Sequence, residues 1–329
     1  MEWGGVKAPP FCYLTQSLFP MLCIFNPEHD LCLANGGPHF VAPASALAFA
    51  REGAYIMQLL YPGAKALAAD QVDSRCVAEW LQQSDASDGP VIVPWGWNLA
   101  LVTRLLKAGV PRSLMPDDAT LACWRTLQHR STLLPLQPDS HAVQTPDQVE
   151  DLLARTPHLV LKAPWSGSGR GLRWVSHSLT PHDRQWIHKT VASQQCVIAE
   201  PRRTVVCDFA LEYYVENGRL RFEGYSLFES EHGVYRANLL LPDDEIARRV
   251  GYTPAMRERL EGWLTVHIAP RYEGALGVDH MLDDSGNIHV GELNLRHTMG
   301  LVAHRYLAAH PEAQGHRLTL RQSSLVVES

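Results

Sequence analysis

The sequence has no long apolar run, no paired-cysteine pattern and no excess of positive charge, and each absence removes a class of function. No stretch approaches the roughly eighteen apolar residues that a membrane helix needs, which points away from a membrane protein. The apolar segment 17–25 is short, contains Pro20 and lacks a signal-peptide layout. Seven cysteines, at positions 12, 23, 32, 76, 123, 196 and 207, are irregularly spaced with no CxxC pair. That argues against a disulfide framework or a zinc ribbon and fits a reducing cytoplasm. A formal net charge of -6 supplies no dominant positive field for a nucleic-acid backbone. Its scattered basic residues still leave room for a local anion site. A Walker loop and a GxGxxG strand-to-helix turn are both missing. So is any convincing Ser/His/Asp or Cys/His arrangement, which leaves covalent catalysis without a candidate nucleophile.

What is present is an ordinary globular composition, 46% hydrophobic and 19% charged over 329 residues, enough for two or three packed units. Residues 1–20 have no periodicity, and a strand-like run starts at Met21. They read as a poorly ordered tail, with Met21 as an alternative start. Over 21–115, apolar runs at 22–25, 54–59 and 91–94 alternate with helical patterns at 43–52, 74–82 and 99–108, predicting a small open α/β layer. A helix start at Pro116-Asp-Asp118 is expected to run to about 132. A polar linker (137–147), a helix (148–155), strands at 158–163 and 172–176 and a helix (183–192) complete a unit ending near 195. From 196 to 310 the chain is strand-rich, at 196–200, 205–215 and 219–228, the last two joined by the hairpin signal Asn217-Gly218. A helix (254–268), a hairpin (274–282 with 287–294) and a helix (301–309) follow. Residues 311–329 read as a C-terminal tail. The fold class is thus α/β plus α+β.

Four motifs carry chemistry. In Val160-Leu-Lys-Ala-Pro-Trp-Ser-Gly-Ser-Gly-Arg-Gly-Leu172 a strand-end lysine precedes a Gly/Ser loop. Glycines let N–H groups turn toward an anion, and the ammonium supplies a point charge; a flexible hairpin with an exposed lysine is the plain alternative. Cys196-Val-Ile-Ala-Glu-Pro201 is a buried strand ending in Glu200, able to offer backbone hydrogen bonds to a base, or simply a strand terminus. Asp208 and Glu212, four apart, share one strand face and suit a sugar hydroxyl, a cationic neighbour or a salt bridge. In Gly277-Val-Asp-His-Met-Leu-Asp-Asp-Ser-Gly-Asn-Ile-His-Val-Gly-Glu-Leu-Asn-Leu-Arg296, a turn at 283–286 sets Leu282 opposite Asn287 and Asp279 opposite Val290. Asp279, Glu292 and Asn294 then share a sheet face, with Glu292 in diagonal reach of Asp279. Three oxygen ligands, two of them anionic, make a hard-cation site for Mg²⁺ or Mn²⁺ shared with phosphates. Arg296, next on that face, is placed to offset charge on a phosphoryl group or acyl phosphate.

Taken in order over residues 116–310, these motifs resemble the ATP-grasp superfamily. The resemblance implies an N-terminal pre-ATP-grasp-like domain (21–115), a small lobe (116–195) and a large lobe (196–310), with ATP between the lobes. It implies that Lys162 contacts the phosphates and that the loop Ser166, Gly167, Ser168, Gly169, Arg170 and Gly171 closes over ATP. Glu200 would lie at the adenine hinge, Asp208 or Glu212 at the ribose, and Asp279, Glu292 and Asn294 on magnesium. A second lysine, usual on the helix before the linker, is absent. That helix offers only Arg125, His129 and Arg130, with Arg125 the phosphate-binding candidate. Glu-Leu-Asn-Leu-Arg also lacks the common proline after asparagine.

The expected activity is ATP- and Mg²⁺-dependent joining of a small-molecule carboxylate to an amine through an acyl phosphate, with Lys162 and Arg296 as catalytic residues. A kinase or phosphotransferase and a non-catalytic nucleotide-binding module are the alternatives. Neither a nucleic acid nor a membrane is an expected partner. The oligomeric state stays open, with a homodimer as one option. The strand-end segments Asn26-Pro-Glu-His-Asp30 and Pro94-Trp-Gly-Trp-Asn98 are acceptor-site candidates, though the tryptophans equally suit packing and His29 a structural hydrogen bond. Gly233-Val-Tyr-Arg-Ala-Asn238 is a further cleft candidate.

Overall fold

A computed structural model describes residues 21–83, 89–166, 171–231, 233–321 and 323–329. The predicted tail 1–20, most of the turn at 84–90, and Gly167, Ser168, Gly169 and Arg170 lie outside the described residues.

The first layer is a parallel sheet of β1 (Met21–Phe25), β2 (Lys65–Ala68) and β3 (Val91–Pro94) in the order β2-β1-β3. Every β1 residue is buried, as expected of a central parallel strand covered on both faces. Helices α1 (His29–Asn35), α2 (Ala44–Gly53), α3 (Ile56–Leu60), α4 (Ser74–Gln82) and α5 (Leu99–Lys107) connect and cover it. Asp73 and Asn98 cap α4 and α5, accepting from Cys76 N at 2.7 Å and Leu101 N at 2.9 Å. The run 54–59, expected as a strand, is helical instead: Ile56, Met57 and Leu60 bury together at helical spacing, and the strand follows at β2.

After α6 (Asp118–Leu127) and a 3-10 helix (Arg130–Leu136) comes a four-stranded antiparallel sheet. It contains β4 (His141–Val143), β5 (His158–Lys162), β6 (Leu172–Ser176) and β7 (Val197–Pro201) in the order β4-β7-β5-β6, with α7 (Pro146–Leu153) and α8 (Pro181–Gln194). Two expectations change here. The predicted linker contains β4, and β7 belongs to this small sheet, so the expected break at 195/196 falls before its last strand.

The third layer is a seven-stranded antiparallel sheet in the order β12-β11-β8-β9-β10-β13-β14. Its strands are β8 (Val205–Glu216), β9 (Arg219–Glu231), β10 (Val234–Leu239), β11 (Gly274–Asp283), β12 (Ile288–Asn294), β13 (Arg317–Arg321) and β14 (Ser324–Glu328). Asn217 and Gly218, both at positive φ (51° and 70°), make the predicted β8–β9 turn. The expected tail is in fact structured. The alternating Arg-Leu-Thr-Leu-Arg of β13 pairs with β10, and Leu318 is fully buried.

Strand periodicity separates core from cleft. Phe209, Leu211, Tyr213 and Val215 of β8 point to a core that includes α10 (Pro254–His267) and α9 (Asp243–Val250). Asp208, Ala210 and Glu212 point the other way, into a cleft facing the first two layers. Helix α11 (Met299–Ala309) packs between β9 and α3 and so ties the large sheet to the first layer. Among the described residues no helix is long and apolar enough to cross a membrane.

Candidate active site

The cleft, about 450 Å³, receives residues from all three layers. Its acidic centre is built by the β11–β12 hairpin. The pairing is shifted by one residue from expectation, with Leu282 opposite Ile288 and His280 opposite Val290. A β-bulge then sets Gly291 and Glu292 together opposite Asp279, after which Val278 faces Leu293 and Gly277 faces Asn294. The two shifts cancel in parity. Asp279, Glu292 and Asn294 therefore share the cleft face, with Glu292 directly across from Asp279 instead of diagonal to it. A Cβ on Gly291 would meet the Asp279 carbonyl oxygen at 3.2 Å, which accounts for glycine at the bulge. Gln137 holds the bulge from behind, its Nε2 donating to the carbonyls of Val290 (2.8 Å) and Gly291 (2.9 Å).

Within this centre, Asn294 Nδ2 donates to Asp279 Oδ2 at 3.1 Å. Glu292 Oε2 accepts from Arg130 Nη2 at 2.6 Å. Burial, then the charges of Glu292 and Glu212, push the Asp279 carboxyl up to about 8. Glu212 lies beneath, 1% exposed, accepting from Ser226 Oγ (3.1 Å) and Thr298 Oγ1 (2.7 Å). Burial pushes it up to about 7. It is seated between glycines, since a Cβ on Gly277 would lie 2.9 Å from its Oε2 and one on Gly300 would collide with its Oε1.

Among the described residues no three of His, Cys, Asp and Glu converge as a ready-made metal site. The donor set here is two carboxylates and one amide, which leaves coordination positions for phosphate oxygens and water. Mutually repelling half-buried carboxylates fit a hard divalent cation, and Asp279, Glu292 and Asn294 are the residues that would hold it.

Arg296 makes a two-point ion pair with Asp30 of α1, Nε to Oδ1 at 3.1 Å and Nη2 to Oδ2 at 3.0 Å. Burial opposes the Arg296 charge, but Asp30, then Glu292 and Asp279, outweigh it and raise its pKa. The strand-end segments interlock around this pair. Asn26 exchanges hydrogen bonds with Gly96 (2.8 and 3.3 Å), and His29 Nδ1 contacts Asn98 Nδ2 at 3.1 Å. Trp95 is buried, edge-on to Phe25, and its carbonyl accepts from His297 N at 2.9 Å.

Lys162 reaches the cleft from the small sheet, ion-paired with Glu200. Glu200 itself is buried and does not line the cleft. Burial raises Asp208, against which the Ser230 hydrogen bond and then the Lys162 charge work, and Asp208 lies opposite Met281, one turn of the pleat beyond Asp279. Glu212 faces Asp279 instead, so the two ribose candidates occupy different parts of the cleft. Ser166 lines the cleft, and Gly171 (φ 82°) returns the loop so closely that a Cβ would meet Ser166 Cβ at 2.9 Å. Gly233, Val234, Tyr235 and Asn238 form a further wall.

Arg125 departs from expectation. It stacks over Trp165 at 3.7 Å and donates through Nε to Leu33 O at 2.8 Å, outside the cleft. The arginine that this segment sends into the cleft is Arg130, five residues on, where the chain leaves α6 for the 3-10 helix. It also donates to Ser166 O at 3.4 Å and so spans the small sheet and Glu292. The sequence marks neither Arg130 over Arg125 nor the pairing of Asp30 with Arg296, because both depend on chain reversals between distant segments.

No family model matches the chain, and no curated protein matches it. Solved structures do. N5-carboxyaminoimidazole synthetase from Staphylococcus aureus, complexed with ADP, aligns over 88% of this chain and 76% of its own, with a TM-score of 0.50 and 13% identity. D-alanyl-alanine synthetase A from Vibrio cholerae aligns over 85% and 89%, with a TM-score of 0.50 and 14% identity. Pyruvate carboxylase from Rhizobium etli aligns over 88% of this chain but 27% of its own, with a TM-score of 0.53 and 15% identity. At these identities the likeness is one of fold, and it agrees with the order of the motifs: the chain has the ATP-grasp fold.

Proposed function

We propose that this protein is an ATP- and Mg²⁺-dependent ligase that activates a carboxylate as an acyl phosphate and joins it to an amine, releasing ADP and phosphate. The observation that carries the reading is the convergence of Asp279, Glu292 and Asn294 on one sheet face, with Lys162 across the cleft and Arg296 alongside. Magnesium, when bound, screens the phosphate charge and polarises the transferring group.

The remaining work falls to the chain. Lys162, near Asp208, is placed to meet the phosphates of ATP, with Ser166 at the base of the loop beside it. A carboxylate oxygen of the substrate attacks the γ-phosphorus as its bond to ADP breaks. The Arg296 guanidinium steadies the resulting acyl phosphate through charge-assisted hydrogen bonds. The amine then attacks the carbonyl carbon, phosphate leaves, and the nitrogen loses its proton. Such a reaction runs on positioning and electrostatics and requires no protein nucleophile.

The test is an ADP-release screen of amino acids and dipeptides with Mg²⁺, with Glu292→Ala as control. A ligase releases ADP and phosphate only when carboxylate and amine are both present. Phosphate retained on a single acceptor would make the protein a kinase, and activity unchanged in Glu292→Ala would refute the metal assignment.

A further inference from the structure

Beyond Arg296 the cleft changes character. Its walls there are Phe25, Phe49, Trp95, Met299 and Leu320, drawn from the first layer, the start of α11 and β13. Phe25 meets Phe49 edge-on at 5.7 Å and Trp95 at 5.1 Å, so three rings form one continuous apolar surface. Phe25 and Trp95 are buried, whereas Phe49, Met299 and Leu320 are only half-buried and keep apolar surface uncovered. The charged groups adjoining this end are Asp30 and Arg296, held side by side in their two-point pair, and Glu212, which lies against Thr298 and Gly300 on either side of Met299. A cation, an anion and an apolar wall thus meet in one place.

We infer that the acid substrate is an α-amino acid with an apolar side chain. This rests on the ligase reading above. The substrate carboxylate lies toward Arg296, from which it can reach the phosphate end. Its ammonium is taken by Asp30, and its side chain lies on the Phe25, Phe49 and Trp95 rings with Met299 opposite. A polar side chain in that position loses its water and finds at most the Trp95 indole N–H, since the phenylalanines, Met299 and Leu320 offer no strong donor or acceptor. A carboxylic acid lacking the amine forgoes that second contact with Asp30, which keeps Arg296 alone as its partner.

The experiment uses the full chain with ATP and Mg²⁺, and hydroxylamine as the amine, so that any acyl phosphate is captured as a hydroxamate. Leucine, methionine and phenylalanine are compared with serine, aspartate and lysine, and leucine with 4-methylpentanoate, which has the same carbon skeleton without the amine. The apolar amino acids are expected to exceed the polar ones in kcat/KM by roughly tenfold or more, and leucine to exceed 4-methylpentanoate. Phe49→Ser should raise KM for leucine with KM for ATP unchanged, and Asp30→Asn should narrow the preference for leucine over 4-methylpentanoate. Hydroxamate formed equally well or better from polar amino acids, or from 4-methylpentanoate, overturns the inference and leaves the ligase reading standing. Nucleotide binding with no hydroxamate from any acid overturns both.

Discussion

Replacing Arg130 by glutamine tests how the acidic centre is held together. The Arg130 side chain is 10% exposed, that of Glu292 is 29% exposed, and they meet at 2.6 Å. Charge centres about 4 Å apart at an effective dielectric near 20 attract by about 4 kcal/mol, before desolvation is subtracted. Breaking a fully buried pair costs about 3–5 kcal/mol, because the survivor is left uncompensated. Glu292 retains access to water, so the loss in Arg130→Gln should be nearer 2 kcal/mol. Urea unfolding without nucleotide or divalent cation measures it, and a double-mutant cycle with Glu292→Gln isolates the pair. The double variant should recover much of the deficit, giving a coupling of about 1–3 kcal/mol. Single-variant losses that add to within ~0.5 kcal/mol would refute the interaction. The same reasoning has a second consequence, since the guanidinium and a divalent cation compete for one carboxylate. Millimolar Mg²⁺ should therefore raise the urea midpoint of Arg130→Gln more than that of the parent.

Three further predictions follow from the packing. Burial holds His29 down at about 4 against an ordinary 6.5, so the unfolded chain binds its proton first on acidification. The stability this neutral histidine contributes is complete above pH 6.5 and lost as pH falls toward 4. The advantage of the parent over His29→Gln should shrink by about 3 kcal/mol across that window, and a gap independent of pH would refute it. Gly300→Ala should destabilise by about 1–3 kcal/mol, because its Cβ would collide with Glu212 and Ser226, whereas Gly262→Ala in α10 meets open space and should stabilise by about 0.5–1 kcal/mol. Thermal melts showing the same sign for both would contradict this packing. Ending the chain after Ala313 should lower the urea midpoint sharply, since it uncovers the β10 edge and removes the buried Leu318, worth about 2–3 kcal/mol by itself. A true tail would leave the midpoint unchanged.

Much of the large-sheet architecture was legible in the sequence because it rests on local signals. Asn217-Gly218 needs no tertiary information to be read as a turn, and the alternation around Asp208 and Glu212 sets both on one face. The hairpin bearing Asp279 departs from its local pattern. The turn after Leu282 is one residue longer than the pattern suggested, and the bulge at Gly291 adds a second shift that restores the shared face. Glycine inside a strand is the trace a bulge leaves, but Gly291 marks the place without fixing which partner residue absorbs the shift. The small sheet holds one strand more than the sequence pattern indicates, since Val197, Ile198 and Ala199 are buried and apolar and their neighbours cannot be deduced from composition. Arg125 and Arg130 look alike on a helical pattern. Only the departure of the chain from helix at Gln128 sends one to Trp165 and the other to the cleft. The first-layer strand was displaced from 54–59 to Lys65–Ala68 because a short apolar run does not declare its period.

The pairing of β10 with β13 also sets a timetable for synthesis. Between them lie roughly eighty residues, including two long helices and the Asp279 hairpin. At ~5–20 residues per second, a ribosome leaves the β10 edge unpaired for roughly 4–16 seconds after it forms. An open edge of that kind recruits other strands. The yield of soluble protein should therefore depend on how fast the segment 240–321 is translated, and slow codons there should favour aggregation while leaving the finished fold unaltered.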